Sequence, residues 1–128
     1  MDTVREIYEL AAAIIFERPG SDEDFDLYTP KFLTRLLMEA LPYENMIRRQ
    51  KGQPPLETSP KITQIDDTMI DWDDRITRNA LPHGLASCLM GDENSKKAES
   101  VMEYNKFVAA LDECAPAIME VADDAETD

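Results

Sequence analysis

The architecture of this chain turns on nine residues, Asn79–Ser87, which read NALPHGLAS. They contain the chain's only histidine, His83, with Pro82 before it and Gly84, one of just four glycines, after it. Such a cluster is either an active-site turn or a helix with a joint in it. As a helix, the segment places Ile76, Ala80, Leu81, Leu85, Cys88 and Leu89 on one continuous apolar stripe at spacings of three and four. Pro82 and Gly84 then sit beside the stripe, and His83 points off it. An interior proline and glycine cost roughly 4 kcal/mol of helix propensity, so tertiary packing must hold the segment in place. In return proline bends the axis and glycine lets another backbone come close. Catalysis by His83 would need a nucleophile or second base beside it, and neither the local sequence nor a second histidine supplies one. The joint is the better reading. The helix then begins under the acids Asp71 to Asp74, which favour the positive end of its dipole, and runs to Met90 before Gly91 closes it.

Working outward, Thr3 with Glu6 forms a capping box, and Val4, Ile7, Leu10, Ala11, Ile14 and Ile15 follow on one stripe. A first helix is expected from Thr3 to about Glu17, stopped by Pro19 and Gly20. Thr29 and Pro30 look like a cap and first-turn proline of a second helix, with Phe32, Leu33, Leu36, Leu37, Ala40 and Leu41 on its buried side. Pro42 either kinks or ends it. From Lys51 to Pro60 the sequence KGQPPLETSP has four breakers in ten residues, so it is a linker. KITQIDDTMIDW offers two short apolar runs, an extended segment or hairpin without the glycine such a turn prefers. Past GDENS, a last helix shows Ala98, Val101, Tyr104, Val108, Leu111 and Ala115 at helical spacing, ended by Pro116. The remaining AIMEVADDAETD has five acids and no base and should stay mobile unless a partner orders it.

The expected fold is therefore mostly α: a small bundle of about four helices with a proline-rich linker and a short extended or hairpin segment in the middle. Residues 1–115 form the helical domain, with the linker at about 51–61, and residues 116–128 form an acidic, flexible tail. The length of 128 residues fits one domain.

Charge limits the partners. Thirteen Lys and Arg against 27 Asp and Glu give a formal charge of −14, which repels phosphate backbones. Repulsion can itself serve a protein that lines a passage DNA must slide through. No apolar run is long enough to span a bilayer, and the start MDTVRE lacks the order of a signal peptide, so a cytosolic chain with no membrane partner is expected. The two cysteines, Cys88 and Cys114, fit neither a redox pair nor a zinc site and read as buried thiols.

Asp22, Asp24 and Asp26 begin like a calcium loop, but Leu27 replaces the required glycine and Leu33 the bidentate glutamate. Asp71, Asp73 and Asp74 fail similarly, with Ile76 in the glycine position. The glycines never approach a phosphate-loop spacing. No catalytic, cofactor-binding or metal-binding residue is expected. Surface remains. Arg48, Arg49 and Lys51 form the only dense basic patch, either compensating a helix end or attracting acid from a neighbouring copy. Trp72, among aspartates, is a core plug or an interface anchor. The candidate protein interface is thus Arg48, Arg49, Lys51, Trp72, Asp73 and Asp74, and the candidate helix joint Pro82 and Gly84.

TVREIYELA, TPKFLTRLLMEALPYENMIRRQKG, the proline-bounded ITQIDD, DDRITRNALPHGLASCLMGDEN and a last helix with a central tyrosine together resemble the small head-tail connector, or adaptor, proteins of tailed bacteriophages. The likeness covers roughly residues 3 to 111, and Asp74 to Asn94 is its most specific part. It implies a structural virion protein at the neck between head and tail, made in the host cytoplasm. Copies would close a head-to-tail ring of about twelve beneath the portal protein, joined to a tail or stopper protein, and DNA would pass without being specifically bound. Two other classes remain open: an acidic DNA mimic, and a helical assembly chaperone that binds one protein partner.

Overall fold

The computed structural model describes residues 1–16, 23–91 and 94–114; Glu17, Asp22, Ala115 and the tail 116–128 lie outside the described residues. In chain order the elements are β1 (Asp2–Thr3), α1 (Val4–Ile14), α2 (Glu23–Gln50), β2 (Met69–Ile70), a π-helical segment (Arg75–Ala80), α3 (Leu81–Met90), a 3-10 turn (Asn94–Lys96) and α4 (Lys97–Cys114). The protein is mostly helical, with four α-helices and one two-stranded sheet among the described residues. Helix α3 is the hub, packed against α4, α1 and α2.

The start of α1 follows the capping box. Glu6 N–H donates to Thr3 Oγ1 and Thr3 N–H to Glu6 Oε1, both at 3.1 Å. Val4 N–H and Arg5 N–H reach the carbonyls of Thr68 and Asp66 at 3.0 and 2.9 Å. First-turn amides that a helix cannot satisfy itself are thereby paired with the segment before β2. That segment is no hairpin. Its only strand, β2, pairs antiparallel with β1, Asp2 opposite Ile70 and Thr3 opposite Met69. On α1 the buried residues are Val4, Ile7, Tyr8, Ala11 and Ala12, while Leu10, expected on the stripe, is exposed.

Helix α2 starts before Thr29–Pro30, at Glu23, with three acids in its first turn favouring the dipole. Thr29 does not cap; its hydroxyl donates back to the Phe25 carbonyl at 2.5 Å, one turn earlier. Pro42 leaves the helix unbroken. It is exposed, so the Met38 carbonyl that loses a partner lies on the solvent side of α2. Leu33, Leu36, Leu37 and Ala40 are buried as the periodicity requires, with Phe32 and Leu41 partly buried.

The helix ends in a left-handed Gly52 at φ 73°, where Gly52 N–H reaches the Arg49 carbonyl and Gln53 N–H the Arg48 carbonyl at 3.1 and 2.8 Å. This paired closure uses glycine for its positive φ. The linker then returns along α2 without regular structure. Two α2 side chains stand in for its backbone partners. Asn45 bonds both the N–H and the carbonyl of Leu56, and Thr34 Oγ1 accepts from Ile62 N–H at 2.9 Å.

Asn79–Ser87 is helical, and its joint has a defined form. The turns before Pro82 are π-helical, with Leu81 N–H bonding the Ile76 carbonyl, and α3 proper begins at Leu81. Proline has no N–H and crowds the preceding turn, so a widened turn ahead of it relieves both penalties. Gly84 has a different role from the one expected. It admits side chains, not a backbone: a Cβ there would lie 2.9 Å from Phe107 Cδ1 and 3.0 Å from Leu36 Cδ2.

The largest departure is α4. Its buried residues are Glu103, Phe107, Ala110, Leu111 and Cys114. Of the described members of the expected stripe only Leu111 is buried; Val101, Tyr104 and Val108 are 59 %, 43 % and 36 % exposed, and Ala115 lies outside the described residues. The apolar spacing identified a helix but the wrong face of it.

Candidate functional site

The C-terminal turns of α2 and the segment entering the π-helix form one cleft of about 490 Å³, lined by Arg48, Lys51, Trp72, Asp73 and Asp74 among others. Five of the six candidate interface residues therefore come together. Arg49 is exposed on the helix beside them and does not line the cleft. Trp72 is 5 % exposed and belongs to the core.

The floor of the cleft is a carboxylate that the candidate set did not include. Glu44 is 3 % exposed. Its Oε2 accepts from Arg48 Nε at 2.7 Å and its Oε1 from Asp73 N–H at 2.8 Å, while Arg48 Nη2 donates to the Asp71 carbonyl at 2.9 Å. A buried charge is tolerated only when paired and hydrogen-bonded, and here both oxygens are occupied. Glu44 and Arg48, four residues apart on one helix, were the legible signal for this clamp.

Asp73 organises the rim. Its Oδ1 accepts from Arg75 N–H and Arg75 Nε, both at 2.9 Å, and its Oδ2 from Lys51 Nζ at 3.3 Å. The bond from Arg75 and, behind it, that from Lys51 outweigh burial and bring its pKa down to about 2. A depressed pKa means stability that is present above the usual carboxylate range and lost as pH falls from about 4 toward 2. At the start of the π-helix, Ile76 and Thr77 N–H donate to the Asp73 carbonyl at 2.9 and 3.0 Å. Asp74 is held by the Met1 amine, whose bond lowers its pKa. Arg48 and Lys51 thus meet acids of their own chain, and Arg49 is the member of the basic patch left facing solvent.

No family model, curated protein or solved structure matches this chain.

His83 lies apart from the cleft, between α3 and α4. Its Nδ1 is 2.6 Å from Glu103 Oε2, and Lys106 Nζ donates to Glu103 Oε1 at 3.0 Å. Burial pushes the Glu103 carboxyl up, but the bonds from His83 and Lys106 outweigh it and the net shift is down. Ser87, one turn along α3, turns its hydroxyl to the Ser100 carbonyl at 2.7 Å. These contacts tie α3 to α4. Buried Asp2 does the same for the N-terminal strand, accepting from Thr77 Oγ1 at 2.7 Å and from Arg78.

Cys88 is half-buried and Cys114 buried, both free, and burial raises both thiol pKa values. Neither has the lowered pKa of a reactive thiol. Among the described residues no cluster of His, Cys, Asp and Glu could hold a metal ion, and no helix is long and apolar enough to cross a membrane.

Among the described residues, two apolar grooves lie on different elements. A groove of about 490 Å³ runs between α2 and the linker, lined by Thr34, Met38, Leu41, Pro60 and Lys61. The other, about 410 Å³, lies where α1 ends against α3 and α4, lined by Ile15, Phe16, Met90 and Met102 with Glu99 and Lys96. Phe16 is 95 % exposed and sits at φ 59°, a left-handed conformation uncommon for a bulky residue.

Proposed function

We propose that this chain is a structural subunit of the phage head-tail connector, joining identical copies around a lumen through which DNA passes toward the tail. The resemblance over residues 3 to 111 supplies the role. The observation that carries it in the structure is the pair of apolar patches that share no residue. A ring closes through a head-to-tail contact, which needs two different faces on each subunit, and exposed apolar surface of this kind marks protein contacts. Phe16 strengthens the case, because a strained and fully exposed aromatic side chain contributes nothing to this chain's own core. The net charge of −14 keeps DNA from adhering to such a lumen.

The test is mass in solution, measured with and without a purified portal ring, for wild type and for Phe16→Gly and Met38→Lys. A ring-sized or portal-bound species that either substitution abolishes supports the connector. A one-to-one complex with a DNA-processing enzyme, weakening with salt, would support the acidic mimic instead. A one-to-one complex with another phage protein, absent from virions, would support the chaperone.

A further inference from the structure

The outer face of α4 carries an uncharged stripe with a charge at each end. At 100° per residue, Lys97, Val101, Tyr104, Asn105, Val108 and Asp112 fall within an arc of about 100°. All six are exposed. In a chain with 31 % charged residues, the four between Lys97 and Asp112 carry no charge. Tyr104 is held in place from below, its ring 5.8 Å from that of the buried Phe107.

The two end charges are placed against the helix dipole. Lys97 is the first residue of α4, at the positive end, and Asp112 lies in its last turn, at the negative end. In the single chain each opposes the dipole, and Asp112 Oδ1 accepts only a long bond from Tyr43 O–H at 3.4 Å. An opposite charge brought beside each would reverse that.

We infer that this face binds the same face of a second copy in antiparallel orientation. Antiparallel pairing sets Lys97 beside the partner's Asp112 and Val101 beside the partner's Val108. Both pairings share one midpoint, between Tyr104 and Asn105, so a single two-fold axis satisfies them together and forms each twice. A parallel pair would oppose Lys97 to Lys97. The stripe spans only about 22 Å of helix, which places the contact at the small end of specific interfaces, so the pair is reversible with a micromolar or weaker dissociation constant. A two-fold contact closes at two copies and cannot propagate around a ring. The inference therefore stands independently of the connector reading, whose faces lie elsewhere.

Sedimentation equilibrium of the full chain tests it. Wild type should rise with concentration from the single-chain mass of 14.5 kDa toward that of two chains. Val101→Lys and Val108→Lys should hold it at one chain while leaving the melting temperature unchanged, because both sites are exposed. Lys97→Asp or Asp112→Lys alone should weaken pairing about tenfold, and both in one chain should restore it. A single-chain mass up to about millimolar concentration overturns the inference, as does a two-chain species that survives Val108→Lys. A portal-bound ring formed by wild type whose free chain stays at one copy up to about millimolar concentration would leave the connector standing and sink this pairing; a pair with no portal binding would do the reverse.

Discussion

Helix α4 has two apolar faces with opposite fates. The inner one, Phe107, Ala110, Leu111 and Cys114, is buried against α3 and includes a charge, Glu103. The outer one, Val101, Tyr104 and Val108, contains no charge and is exposed. Partners decide the difference: Glu103 can be inside because His83 and Lys106 bond both its oxygens, whereas Val101 and Val108 stay 59 % and 36 % exposed. A charge at a helix position is compatible with burial whenever its complement arrives from another element.

Substitutions on the two faces should separate accordingly, beginning with the largest. Phe107→Ala removes a ring that is 1 % exposed and should cost about 3–5 kcal/mol, read by denaturant unfolding. Gly84→Val presses on the same ring from α3, since even a single Cβ would lie 2.9 Å from it, and should cost about 1–3 kcal/mol by the same measurement. If Gly84→Val were neutral, the inner seam would be looser than its packing implies. Glu103→Gln should cost about 1 kcal/mol near neutral pH. Its folded pKa is depressed, so the carboxylate's contribution is present above its ordinary range and lost as pH falls through the folded value. The gap between wild type and Glu103→Gln should therefore close as pH falls below the ordinary carboxylate range, in parallel melting curves. On the outer face, Val101→Ser and Val108→Ser should change single-chain stability by less than about 0.5 kcal/mol, measured at a concentration too low for pairing.

The same contrast explains what was legible in the sequence. Local signals survived folding: the Thr3–Glu6 box and the breaker-rich linker each depend on neighbours within a few residues. Thr29–Pro30 misled because a threonine followed by proline imitates a helix start, although Glu23 and the acids after it begin the helix a turn and a half earlier. The π-helical turns before Pro82 were invisible, since the buried spacing of Ile76, Ala80 and Leu81 does not distinguish wide turns from ordinary ones. β1 pairs with residues far along the chain, which no periodicity encodes. On α4 the stripe of threes and fours was real but faced solvent, because Glu103 interrupts the inner face and one of the two residues that compensate it, His83, sits on another helix. The candidate cleft was half legible. Arg48, Lys51, Trp72, Asp73 and Asp74 do converge, but Glu44, the carboxylate that gathers them, was legible only through its four-residue spacing from Arg48.

A mixed sample of isotope-labelled and unlabelled chain tests most directly whether the outer face of α4 is a contact between copies. Magnetisation transfer between chains should connect the methyl groups of Val101 to those of the partner's Val108. Transfer arising elsewhere, or none in a sample whose mass is that of two chains, would contradict the assignment of that face.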